Sequence, residues 1–156
     1  MKKFIFMALL LCMMSMTEAQ AKVSVTMKRD GTYRNDYVSF YFLERDGNQY
    51  LMAALESDAC SFPEKAQILI RFFDDSVLTV DGECKAKDQT HDGGLFGAGD
   101  AFQSTAEFPI KVEDIERFKG GVQKIRVTTV PNMLENSYKK DKIGKKLYDE
   151  YKKSAF

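Results

Sequence analysis

The chain of 156 residues has one histidine, His91, and three cysteines. One imidazole is too few for an ordinary zinc site, and any catalytic triad would have to use His91. The sequence also lacks the G-x-S-x-G, H-E-x-x-H and C-x-x-C patterns of serine hydrolases, metalloproteases and thiol oxidoreductases. We therefore expect no cofactor, and no motif identifies a catalytic or metal-ligating residue.

Net charge is also absent, because 23 basic residues balance 23 acidic ones. This balance argues against nucleic-acid binding, which needs a strongly basic surface. The one local excess is at the C-terminal end, where seven lysines and three acidic residues occur from position 139 onward. It predicts that Lys142, Lys145 and Lys146 form a contact surface for an envelope protein or an anionic surface. A solvated helix face without a partner is the alternative.

A long apolar run occurs only at the N-terminus. Lys2 and Lys3 precede an apolar segment at residues 4–14, and Ala19-Gln20-Ala21 matches the small-x-small rule for cleavage. The segment is shorter than the ~20 residues of a membrane span. We therefore predict a signal peptide at residues 1–21, a single periplasmic or secreted domain at 22–156, and no transmembrane segment after cleavage. The alternatives are a buried N-terminal helix and a lipoprotein modified at Cys12.

Export would carry Cys60 and Cys84 into an oxidising compartment. Both occur in turn-like contexts, SDACSFP and VDGECKAKD. We therefore predict a Cys60–Cys84 disulfide, which would destabilise the unfolded chain by ~3 kcal/mol through loop closure. Two buried free thiols are the alternative.

The exported part is rich in strand signals. Val23, Val25 and Met27 alternate with polar residues, and Asp46-Gly47 is a favoured hairpin turn between two apolar segments. Together the patterns predict an α+β domain of about seven mainly antiparallel strands, with a short helix at 112–121 and a C-terminal helix at 135–153 packed on the sheet. A two-sheet β-sandwich with a terminal helix is the alternative. The remaining predicted strands lie at 66–73, 77–80, 102–110 and 122–130.

The C-terminal helix has one apolar face. Ile143, Leu147 and Tyr151 recur at every fourth position, which predicts that they are buried. Gly144 lies on the same face and would cost ~1 kcal/mol relative to alanine inside a helix. We therefore predict that the helix backbone approaches the sheet closely at this glycine.

A glycine-rich stretch at residues 90–102, THDGGLFGAGDAF, contains His91. A dinucleotide site needs G-x-G-x-x-G between a strand and a helix. Here Gly94, Gly97 and Gly99 are spaced G-x-x-G-x-G, and a strand follows instead of a helix. A calcium site using Asp92 and Asp100 would lack the usual spaced aspartates. The stretch is therefore predicted to be a solvated connection, in which Leu95 and Phe96 form a second contact surface.

The order FPIKVEDIERFKGGVQKIRV followed by KKDKIGKKLYDEYKK resembles a recurrent pattern in small exported proteins of Bacteroidetes-type bacteria, a group that is largely uncharacterised. The likeness covers roughly residues 68–153. It implies export into a Gram-negative envelope, and it implies neither an activity nor any site residue.

These observations favour an exported, non-enzymatic protein that binds a partner or supports an envelope assembly. The alternative is a small hydrolase, because carboxylates from strands distant in sequence can meet in a cleft.

The first prediction concerns the mature N-terminus. We expect the exported product to begin at Lys22, because Ala19 and Ala21 satisfy the cleavage rule. Intact-mass spectrometry of that product measures its start directly. A lipid adduct on Cys12 would contradict simple signal cleavage.

Overall fold

A computed structural model describes residues 21–90 and 101–155. Residues 1–20, with Cys12, lie outside the described residues, as do residues 91–100 with His91, Leu95 and Phe96. Within the two described ranges, no helix is both long enough and apolar enough to cross a membrane.

Eight antiparallel strands form the body of the domain. Alternation of apolar and polar residues explains most of them, since a strand points successive side chains to opposite faces. In the first strand, Val23, Val25 and Met27 are buried and the residues between them are exposed. The strands are β1 (Val23–Arg29), β2 (Asn35–Arg45), β3 (Asn48–Ser57), β4 (Lys65–Phe72), β5 (Val77–Thr90), β6 (Ala101–Ile110), β7 (Val122–Val127) and β8 (Leu134–Ser137).

The strands close into a barrel in the order β1-β2-β3-β6-β5-β4-β7-β8. Closure comes from β8, which pairs with β7 on one side and with β1 on the other, through Lys28 with Glu135 and Arg29 with Leu134. The predicted open sheet covered by a helix is therefore wrong, and so is the β-sandwich. Both missed β8, because three of its four residues, 135–137, were assigned to the start of the C-terminal helix.

One cluster of buried apolar side chains fills the barrel. Phe40, Leu51, Ile68 and Phe108 come from four different strands and are each fully buried within this cluster. In a barrel of eight strands, side chains of this size are enough to fill the interior. Ligand contacts on the described part of the chain must therefore be sought on the outer surface.

Helices cover one end of the barrel. They are α1 (Val112–Arg117), a 3₁₀ turn (Phe118–Gly120) and α2 (Gly144–Ser154), and together they define the helix-covered end. The Phe118 ring meets the edges of Phe42 and Phe72 at centroid distances of 5.3 and 5.4 Å. This aromatic cluster attaches the turn to the barrel interior.

Helix α2 confirms part of the sequence prediction. Ile143 and Leu147 are buried, and Tyr151 is half-buried with its ring 5.6 Å from Phe42. The predicted start at residue 135 is wrong, since the helix begins at Gly144. A Cβ atom on Gly144 would lie 2.8 Å from the Phe118 carbonyl oxygen. It would lie equally close to the backbone nitrogen of Val122, so the close approach is to the 3₁₀ turn and to the start of β7.

Asp141 joins α2 to the barrel. Its Oδ1 accepts hydrogen bonds from the backbone N–H groups of Val122 at 3.0 Å and Gly144 at 2.8 Å. Its Oδ2 accepts one from Lys145 at 2.8 Å. Burial by itself would raise the pKa of Asp141, but the backbone donors outweigh it and the pKa is lowered. One carboxylate therefore caps the helix and holds the start of β7.

The predicted Cys60–Cys84 disulfide is not formed, and both residues are free thiols. Cys60 is buried after β3, where its N–H donates to Ser57 Oγ at 3.0 Å. Cys84 lies within β5, opposite Ala106. The turn-like interpretation of VDGECKAKD was wrong, because this segment continues a long strand.

We predict that Asp141→Ala lowers the free energy of unfolding by about 1–2 kcal/mol, as loss of a helix cap does. Because the pKa of Asp141 is lowered on folding, its stabilisation exists above the unfolded pKa of about 4 and disappears as the pH falls through the folded value. Urea denaturation of wild type and variant between pH 7 and pH 2 measures both effects. Asp149→Ala, in the exposed part of α2, is the control, and an equal loss in this variant would refute the capping role.

A separate prediction concerns Gly144. Gly144→Ala should lower the free energy of unfolding by about 1–3 kcal/mol, because the added methyl group would overpack this contact. We expect this loss even though alanine is the better helix former. Gly120→Ala is the matched control, because nothing lies within 4 Å of its added Cβ. Thermal melting compares the two variants. A higher melting temperature for Gly144→Ala would show that the close approach is not a constraint.

Candidate functional site

A cleft of about 760 Å³ crosses the outer wall of the barrel. It runs over strands β4, β5, β6 and β3 and reaches Arg45 at the end of β2. Six of the lining residues are charged, and they are balanced between the two signs. We call this feature the wall cleft, and its principal residues are Arg45, Tyr50, Lys65, Asp81, Glu83, Lys85 and Glu107.

The wall cleft depends on the course of β5. The first half of this strand pairs with β4 and the second half pairs with β6, and Glu83 takes part in both ladders. Next to it, a Cβ on Gly82 would lie 2.3 Å from the Glu107 carbonyl oxygen. Only glycine lets β5 approach β6 this closely. A register shift in the same ladder lies just beyond, between Cys84 and Ala86.

The floor of the wall cleft is an ion pair. Arg45 donates two hydrogen bonds to the Glu107 carboxylate, at 2.9 and 2.8 Å. The Glu107 side chain is only 6% exposed, whereas Arg45 is half-exposed. Arg45 also stacks on Tyr50, at 4.6 Å from the ring centroid, and the hydrogen bond to Glu107 raises the pKa of Arg45. This geometry leaves both oxygens of Glu107 occupied.

The remaining charges of the wall cleft differ in their partners. Lys85 Nζ lies 2.9 Å from a carboxylate oxygen of Glu83, and this hydrogen bond lowers the pKa of Glu83. Asp81 accepts a hydrogen bond from the Gln67 amide at 2.7 Å, but has no cationic partner among the described residues. Lys65 lies opposite Glu83 across the β4–β5 ladder and helps to lower its pKa, but forms no ion pair within 4 Å in that part of the chain. Lys65 and Asp81 are therefore the charged groups of the cleft without an ion pair within the two described ranges.

A second charged cluster lies at the barrel end opposite the helices. Arg29 and Asp36 are nearly fully buried and form a bidentate pair at 2.9 and 2.7 Å. Arg29 also donates to Asp58 at 2.8 Å, and this hydrogen bond lowers the pKa of Asp58. Asp58 receives a further bond from the exposed Arg34 at 3.0 Å. The cluster is internally neutralised, which indicates a structural role.

The residues proposed from sequence as contacts are not in the wall cleft. Lys142, Lys145 and Lys146 are exposed at the helix-covered end, and their role as contacts stays a prediction. Leu95 and Phe96, the other proposed contacts, fall outside the described residues. Across residues 21–90 and 101–155, no group of three or more histidine, cysteine, aspartate or glutamate residues is arranged to hold a metal ion.

Sequence reasoning missed the wall cleft because its parts are far apart in the chain. Arg45 and Glu107 are separated by 62 positions. Glu107 occupies an ordinary polar position in an alternating strand. The usable signal was Gly82, since an isolated glycine inside a strand often marks a close backbone approach. The sequence interpretation placed Gly82 in a turn after residues 77–80, which hid that signal.

Comparison of the chain with protein-family models, with curated proteins and with solved structures finds no match. Function is therefore argued from the geometry of these sites alone.

We predict that Arg29→Leu destabilises the fold by about 3–5 kcal/mol, because it leaves the Asp36 carboxylate buried without its partner. Arg34→Leu should change stability by less than ~1 kcal/mol, since Arg34 is 71% exposed. The double variant Arg29→Leu/Asp36→Leu should recover part of the loss. Chemical denaturation of the two single variants and the double variant measures their free energies of unfolding and tests this ranking. Equal losses in the two single variants would disprove the structural role of the buried pair.

Proposed function

We propose that this protein is an exported, non-enzymatic binding protein whose ligand site is the wall cleft. Two features support a site on the outer wall. Apolar side chains fill the barrel interior. The cleft volume of about 760 Å³ lies within the range of about 300–1,000 Å³ that is common for small-ligand pockets.

The observation that carries the proposal is the pair of charges at Lys65 and Asp81. In the ladder between β4 and β5, Lys65 pairs with Glu83 and Gln67 pairs with Asp81, so Lys65 and Asp81 are diagonal neighbours. Such neighbours are about 7–8 Å apart. An extended chain spans about 3.3–3.6 Å per residue, so a peptide of two or three residues can reach both side chains. Its terminal carboxylate would meet Lys65 and its terminal ammonium would meet Asp81.

The carboxylates of the wall cleft support binding rather than hydrolysis. Asp81, Glu83 and Glu107 line the same cleft, which is what the alternative of a carboxylate-based hydrolase calls for. However, a general acid needs a raised pKa. The pKa of Glu83 is lowered by Lys85, and both oxygens of Glu107 accept hydrogen bonds from Arg45. Neither group is set up to deliver a proton.

We predict that short peptides with free termini bind the purified protein saturably and are recovered intact. Isothermal titration calorimetry in low salt measures binding, and mass spectrometry of the peptides detects cleavage. Peptides of the same sequences that are acetylated and amidated should not bind, because they lack both terminal charges. Lys65→Glu should weaken binding by about fivefold or more, since one exposed ion pair contributes up to ~1 kcal/mol and reversal adds repulsion.

Lys87→Glu is the matched control, because Lys87 is an exposed lysine of β5 outside the wall cleft. It changes net charge by the same amount and should leave binding unchanged. Cleavage of the peptides would support the hydrolase instead. Equal binding of free and blocked peptides would exclude recognition of the terminal charges.

A further inference from the structure

Six exposed lysines gather at the helix-covered end. They come from the 3₁₀ turn, from the segment that follows β8 and from the first turn of α2. None of the six has an ion-pair partner within residues 21–90 and 101–155. We call them the lysine-rich end: Lys119, Lys139, Lys140, Lys142, Lys145 and Lys146.

Three carboxylates near the lysine-rich end form hydrogen bonds or ion pairs with groups other than these six lysine side chains. Glu116 accepts a hydrogen bond from Tyr148 at 2.8 Å and pairs with Lys152 at 3.3 Å. Glu150 pairs with Lys153 at 2.7 Å. Asp141 accepts only from backbone N–H groups. The six lysines therefore form no ion pair within the described residues, and their charge is only partly offset by Glu116 near Lys119 and by Asp149 near Lys146.

Two of the lysines lie at the N-terminus of α2. Lys145 and Lys146 are in the first turn, which contains no acidic residue of its own. The Asp141 carboxylate caps this terminus and offsets the positive end of the helix dipole. The two exposed lysine side chains make no hydrogen bond or ion pair within the described residues, so they are accessible to a ligand.

The course of the chain brings the N-terminal segment to the same place. Residues 21–24 enter β1 beside Lys146, Asp149 and Lys153 of α2, where they share a shallow cleft of about 380 Å³. The apolar run at residues 4–14 lies only a few positions upstream. The predicted cleavage after Ala21 removes this run, so the exported product carries the lysines of this end without the apolar run.

We propose that the lysine-rich end docks the protein onto a bilayer surface that bears anionic phospholipid headgroups. Charge complementarity between the exposed lysines and the headgroups favours this occupant. The apolar face of α2 cannot insert into the bilayer, because Ile143 and Leu147 are already buried in the barrel. Docking is therefore electrostatic, reversible and sensitive to salt. The wall cleft uses other residues, so docking does not depend on the proposed peptide binding.

The test is co-sedimentation of the exported product with vesicles. One set contains phosphatidylglycerol and phosphatidylethanolamine, and the other contains phosphatidylcholine only. We expect binding to the anionic vesicles at 25 mM salt, loss of that binding at 300 mM salt, and no binding to the neutral vesicles. Lys145→Glu/Lys146→Glu should weaken the binding at least tenfold, because each lysine near such a surface contributes substantially. The same variant should melt no lower than wild type, since glutamate suits the first turn of a helix.

Lys28→Glu/Lys87→Glu is the matched control, because it reverses two exposed lysines away from the helix-covered end. It makes the same change in net charge and should weaken vesicle binding less than threefold. Equal loss in the two double variants would overturn a local docking surface, and so would absence of binding to anionic vesicles at low salt. Peptide titration of Lys145→Glu/Lys146→Glu should match wild type, so failure of docking and failure of peptide binding are distinguishable.

Discussion

Closure of the sheet between β1 and β8 is the constraint on which the rest of the structure depends. An open sheet leaves unpaired backbone groups along two edges and needs a layer to cover its apolar face. Here the pairing of Arg29 with Leu134 joins the two terminal strands, and the sheet encloses its own core. The helices are therefore left to cover one end of the barrel. The outer wall is free to carry polar groups, which is why the candidate binding features lie on the surface.

The charged groups of the described residues have three different functions. Arg29 and Asp36 satisfy each other inside the barrel, and breaking such a pair is costly because a buried charge is left alone. Glu107 is also buried, but its partner Arg45 reaches the solvent and forms the floor of a cleft. The six lysines of the lysine-rich end form no ion pair in that part of the chain, unlike Lys152 and Lys153 of the same helix. Buried pairs thus specify the fold, whereas unpaired surface charges are available to ligands.

Part of the fold could be predicted because its signals are local. The period-two alternation in β1 and the Asp46-Gly47 turn required only neighbouring residues. β8 was missed because its four residues run directly into a lysine-rich segment with helical spacing, so local pattern favoured one long helix. Gly82 was assigned to a turn because an Asp-Gly pair after a short apolar strand is locally typical of a turn. Whether a glycine ends a strand or permits close contact depends on the strand that lies beside it.

The amino-acid sequence by itself determined the location of most strands and of both helical segments, which side chains are apolar, and where positive charge accumulates. Each of these properties depends on residues that are close together in the chain. Only the tertiary structure decided that the sheet closes, that the two thiols stay unpaired, and that Arg45 meets Glu107 in a cleft. These features depend on strand order and register. Each joins residues that are distant along the chain, and the alternating pattern of a strand carries no information about which strand it will pair with.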